Sequence, residues 1–181
     1  MKRNSPYTLA YAGVLIAMNL ILSRLVSIPV GSALRISAGS VPIMLSGLWL
    51  GPVTGGLCGL VGDLIGCFIS GYAPNPLLSC SAVLTGVIPG LAAGFIRKEQ
   101  GLQGRFLRML AVTGGMMLIT SQGLSTLGIA LMAGTGFGAM WLTRLPQTLL
   151  LLPVNAFLAS VFYDRIPLPM PDSGKTKEKD A

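Results

Sequence analysis

The chain has 181 residues, of which 52% are hydrophobic and only 10% charged, with a mean hydropathy of +0.72 and a formal net charge of +7. Soluble domains carry about 25% charged residues, and a small core leaves much of its surface wet, so this composition excludes a soluble globular fold. A membrane-crossing helix needs roughly 20 apolar residues, so six would take about 120 and leave about 60 for loops and tails. That leaves no room for a second domain.

The chain contains no histidine, which removes the commonest general base and metal ligand. Cys58, Cys67 and Cys80 lie in apolar segments and match no zinc spacing, so they read as free thiols. Without histidine or a membrane-embedded lysine, no nucleophile–base pair can be assembled, and an enzyme is not expected. A net positive charge can signal nucleic acid; in an apolar chain it signals cytoplasmic loops instead.

In chain order, residues 8–28 read as the first crossing, preceded by Lys2 and Arg3 and taken as a span, not a cleavable leader. Residues 29–39 form a short polar outer stretch containing Arg35. A short second span covers 40–50 and stops at the Gly51-Pro52 break; a third runs over about 55–70. Residues 71–76 hold a glycine and two prolines and read as a turn. Span four covers about 77–96, a basic loop 97–108, span five about 109–132, a small-residue turn 133–138 and span six 139–163. Residues 1–165 thus form one six-helix membrane domain. Residues 166–181, rich in proline and then in charge, read as a disordered cytoplasmic tail. Its Gly174-Lys175-Thr176 lacks the upstream glycine of a phosphate loop, with Pro169 in that place.

Six crossings put both ends on one side of the bilayer. The basic residues of the N-terminus, the 97–108 loop and the tail then share that side, which the positive-inside rule makes cytoplasmic. Arg24, Arg35 and Arg144 fall in the outer half; Arg144 lies about two turns into span six, ~9 Å deep at 1.5 Å per residue. Together they suit an anion, and arginine's fork suits a carboxylate. Arg24 also reads as a residue snorkelling to the interface. Asp63 is the one acidic residue within a span, near mid-membrane. It reads equally as a hydrogen-bond acceptor at a ligand or as part of an internal structural pair. Asn19, Gln122, Gln147 and Asn155 are span amides, each needing a partner that a polar ligand or a neighbouring helix could supply. Gly13/Ala17, Gly55/Gly59 and Gly62/Gly66 have the small-xxx-small spacing that lets helices approach closely in lipid.

Several stretches resemble the S components of energy-coupling factor (ECF) transporters, over about residues 8–165. Residues 13–19 with Leu22-Ser23-Arg24 resemble the family's first helix, and residues 34–43, from Leu34-Arg35-Ile36-Ser37 to Pro42-Ile43, resemble the first outer loop and second helix of its folate-type branch. Gly51-Pro52, Gly62-Asp63-Leu64-Ile65-Gly66, Leu84-Thr85-Gly86 and Arg144-Leu145 with Pro153 continue the likeness in order. The chain departs from the branch at 75–79, where Asn75-Pro76-Leu77-Leu78-Ser79 carries no aromatic, and at Ala38.

The resemblance implies a multi-pass protein of the bacterial cell membrane, embedded in the lipid bilayer. Such a protein captures a vitamin outside, docks on a transmembrane coupling subunit driven by two cytoplasmic ATPase subunits, and needs no cofactor or metal. It implies that Gly13 and Ala17 pack on the coupling subunit. Folate is the vitamin expected, with one or more of Arg24, Arg35 and Arg144 at its carboxylates, amides such as Asn19, Gln122 or Gln147 and also Asp63 toward its pterin, and Ser79 among the substrate-binding residues. Pantothenate, a pyrimidine or riboflavin are the alternatives within the family; a structural or assembly membrane protein is the alternative outside it.

Overall fold

A computed structural model describes residues 6–25, 28–30, 34–71, 73–97, 102–134 and 136–165. The expected tail at 166–181 lies outside the described residues. The elements are α1 (Pro6–Leu20, prolonged by a π-helical turn, Ile21–Leu25), β1 (Ile28–Val30), β2 (Leu34–Ile36), α2 (Ser40–Leu50), α3 (Pro52–Ser70) and α4 (Pro76–Arg97). They are followed by α5 (Leu102–Met117), a π-helical stretch (Leu118–Ser125), α6 (Thr126–Ala133) and α7 (Phe137–Arg165). Among the described residues, five apolar segments are long enough to cross a bilayer, and α5 with its π stretch and α6 make up one of them. The 11-residue α2 is the sixth membrane helix, so the six-helix expectation holds.

Two expectations at element ends are corrected. The first crossing does not run to residue 28. Its helix gives way by Leu25, and Ile28–Val30 pairs antiparallel with Leu34–Ile36, Pro29 opposite Arg35. Pro29 disfavours a helical residue before it, and β-branched Ile28, Val30 and Ile36 favour extended backbone. The basic loop is also shorter than 97–108, because α5 already starts at Leu102. Arg108 therefore rides on α5, donating from Nη1 to the Phe95 carbonyl at 2.7 Å with its guanidinium 4.5 Å from the Phe95 ring centre.

Helix α2 is apolar all round, and residues Val41 to Trp49 are all buried. A helix without a polar face belongs inside a bundle, and α2 packs against α1, α3, α4 and α7. At Gly51 the backbone takes φ +95°, which L side chains rarely adopt, and Pro52 then starts α3 at a position where its missing N–H costs nothing. The reversal lays α3 beside α2.

The contact among α2, α3 and α4 is made by backbone. A Cβ on Gly47 would strike the Gly86 carbonyl, one on Gly86 the Gly55 carbonyl, and one on Gly59 the Ala82 carbonyl. At Gly90 it would sit 2.6 Å from Pro52 Cα. The small-residue spacing of α3 is thus spent on packing within the chain.

Polarity divides the bundle by depth. The apolar cluster of Leu48, Trp49, Ile96, Met109, Ala159 and Tyr163 gathers the inner ends of α2, α4 and α7 with the start of α5. Asn19, Arg24, Asp63, Ser81, Thr120 and Gln147 lie toward the outer ends of their helices.

Gly86→Ala should lower stability in detergent by about 1–3 kcal/mol or more, as overpacking does, while Gly94→Ala, where a Cβ meets nothing within 4 Å, should not. Thermal unfolding of the two variants checks this; equal melting would show that the close contact carries no weight.

Candidate functional site

Two cavities of the outer half share Ser37 as a common wall. The first, about 280 Å³, lies between α1, α3 and α4 and is lined by Asn19, Ser23, Arg24, Gly62 and Asp63 among others. Asn19 is buried and donates from Nδ2 to the Gly39 carbonyl at 2.6 Å, tying α1 to the start of α2. Arg24 reaches over Gly66 and donates from Nη1 to Ser70 Oγ at 2.5 Å. Asp63 Oδ2 accepts from Ser79 Oγ at 2.8 Å, joining α3 to α4. Among the described residues the chamber therefore carries one cation and one anion, each already held by a serine.

The second cavity, about 220 Å³, lies between α4, the π stretch and α7, closed on one side by Ser37 and Ser40. Its lining is neutral and polar: Ser81, Thr85, Thr120, Ser121, Ser125, Gln147 and Asn155, with Met116, Met117 and Leu151. The π stretch explains the hydroxyls. A wider turn leaves carbonyls to be satisfied inside lipid. Ser81 Oγ donates to the Thr120 carbonyl at 2.9 Å and lies 2.7 Å from Ser125 Oγ; Thr126 Oγ1 donates to the Ser121 carbonyl at 2.9 Å.

Helix α7 brings a stripe to this chamber. Residues 144, 147, 151 and 155 recur at three- and four-residue steps, so they share one face. Gln147, Leu151 and Asn155 line the cavity; Arg144, one turn further out, is half-buried and reaches Thr126 Oγ1 at 3.4 Å.

The expected site residues therefore divide. Asn19, Arg24 and Asp63 meet in the first chamber, with Ser79 holding Asp63. Gln147 lines the second, with Arg144 beyond it. Gln122 is buried in the π stretch, and its Oε1 meets no partner among the described residues. Arg35 sits in β2, and its side chain lies outside what the structure describes. Gly13 and Ala17 lie on the exposed face of α1, and a Cβ on Gly13 would touch nothing within 4 Å. Sequence reasoning missed Ser81, Thr85, Thr120, Ser121 and Ser125, and it named Asn155 without placing it. The polar run from Thr120 to Thr126 inside an apolar span was the signal for most of these.

Comparison with known proteins supplies the context. The sequence model of the family described as "ECF-type riboflavin transporter, S component" matches residues 3–164. The chain belongs to this family. It is a membrane-embedded S component, a transport subunit and not an enzyme. A folate transporter, FolT, of Clostridium novyi (strain NT) is 25% identical over 153 residues, covering 82% of this chain and 83% of that protein. The crystal structure of a FolT bound with folic acid matches with a TM-score of 0.73 at 26% identity, covering 91% of this chain and 96% of that one. The S component for biotin from an ECF-type ABC transporter matches with a TM-score of 0.65 at 16% identity, over 92% and 95% of the two chains. That last likeness concerns the fold alone.

Replacing Asn19 by Ala removes its bond to Gly39 and strands a buried carbonyl, which should cost about 1–3 kcal/mol. A lowered unfolding midpoint in detergent would bear this out, and an unchanged one would show the α1–α2 tie to be dispensable.

Proposed function

We propose that this S component captures a folate at the outer face of the membrane and delivers it inward by docking on an ECF coupling subunit driven by two cytoplasmic ATPases. Folic acid is long, with a flat pterin at one end and a glutamate bearing two carboxylates at the other. The chamber beside α7 suits such a molecule. The guanidinium of Arg144 stands on its outer side, and neutral amides and hydroxyls line its depth. From residue 144 to residue 155 is ~16 Å along the helix at 1.5 Å per residue. This reading puts the carboxylate end at Arg144 and the pterin deeper along the same face of α7, past Gln147. Arg24, Asn19, Asp63 and Ser79 then shape the adjoining chamber and hold α1, α3 and α4 in place. The relatives that bind or carry folate support the choice of vitamin.

The observation that carries the proposal is Arg144: a half-buried guanidinium whose partner is a hydroxyl at 3.4 Å. A buried cation gains from a negative ligand, because burial strengthens their attraction. The family's name makes riboflavin the second reading. Riboflavin carries no carboxylate and would leave that cation without a counter-charge.

Calorimetry on the purified protein separates the two. Folic acid should bind more tightly than riboflavin, and Arg144→Ala should weaken folic acid about ten- to a hundredfold, the weight of a charged hydrogen bond. Tighter binding of riboflavin, unmoved by that substitution, would overturn the proposal.

Gly13→Leu should leave folic acid affinity unchanged, since the new side chain projects into open space. Coupled uptake into vesicles or cells should be lost, because a bulky residue keeps a partner helix from approaching. Uptake at the wild-type rate would place the docking face elsewhere.

A further inference from the structure

We infer that Asn155 is the residue that reads the ring, pairing its carboxamide with an edge where an N–H donor stands beside a carbonyl acceptor. This rests on the placement of the vitamin proposed above. Asn155 is 1% exposed, on the inner part of the chamber wall. Its Oδ1 has no hydrogen-bond partner among the described residues. Among those residues its Nδ2 meets only the Met117 thioether, at 3.9 Å. Sulfur is a weak acceptor, and the two ends of an amide can be exchanged by a flip. Either way round, the amide meets one soft atom and nothing better.

A buried amide left in this state costs stability, and the membrane interior offers no water to relieve it. Leucine would fill the same place without that cost. An amide kept here is explained if a ligand completes it. A carboxamide offers one donor and one acceptor side by side, which is the complement of a lactam edge. The pterin of folic acid has such an edge.

The surroundings agree. Met116 and Met117 line the same wall, and among the described residues no aromatic side chain does, so thioethers meet the faces of a flat ring there. Sulfur packs well against aromatic rings. When the ring enters, Asn155 exchanges its contact with Met117 for the ring edge, and Met117 stays as a packing surface.

The test is Asn155→Leu, read in two ways on the full-length protein in detergent. Without ligand, the variant should melt at the same temperature as the wild type or higher, because an unsatisfied amide has been removed. Its affinity for folic acid should fall about ten- to a hundredfold. Wild-type affinity in the variant would overturn the inference. So would lower affinity together with lower ligand-free melting, since that pattern belongs to a structural residue. If the wild type fails to bind folic acid, the vitamin assignment fails. The same pair is then titrated with riboflavin, whose ring carries a comparable N–H and carbonyl edge. Loss of that binding in Asn155→Leu would uphold the role of Asn155, and equal binding, or none by the wild type, would overturn it.

Discussion

Backbone-to-backbone contact among α2, α3 and α4 is the constraint on which the rest of the bundle depends. Lipid tails are as apolar as leucine, so helices in a bilayer gain little by hiding apolar side chains from it. They gain by fitting together. Here Gly47, Gly55, Gly59 and Gly86 remove the side chains that would hold the three helices apart. The left-handed backbone at Gly51 turns α2 directly back into α3. An 11-residue helix, too short for a ~30 Å hydrocarbon layer, can then be buried at the centre of the fold and anchored from several sides.

That central anchor separates the two ends of the molecule. The inner half is filled by methionine, leucine, tryptophan and tyrosine, and holds the bundle as a unit. The outer half carries the polar groups, which are expensive in lipid unless satisfied. Most are satisfied by each other: Asp63 by Ser79, Arg24 by Ser70, and the widened turns of the π stretch by Ser81 and Thr126. Among the described residues, Asn155 and Gln122 keep a buried amide oxygen without a partner in this half, and Arg144 meets a hydroxyl only at 3.4 Å. An apolar, closely packed inner half with hydrogen-bonding capacity left over in the outer half is an arrangement that suits a capture subunit.

Much of this was legible in the sequence. The bounds 40–50 and the break at Gly51-Pro52 were readable because glycine followed by proline stops a helix whatever its surroundings. The hairpin was not, because two three-residue strands are too short to show alternation within an apolar stretch. Arg24 and Arg144 stood out as cations among apolar residues. That Arg24 lines one chamber while Arg144 reaches Thr126 one turn outside the lining of the other depends on how α1 and α7 are rotated, and no local pattern records rotation. Asn155 was visible as one amide among several. Its singularity, a carboxamide opposite a thioether instead of a carbonyl, exists only once α5 and α7 are packed together.

The most direct measurement is the absorption spectrum of the small molecule released when the protein is purified without added vitamin and then denatured. The account predicts the ultraviolet signature of a pterin, present in proportion to folded protein. Release of a yellow, visible-absorbing flavin in that proportion would contradict it.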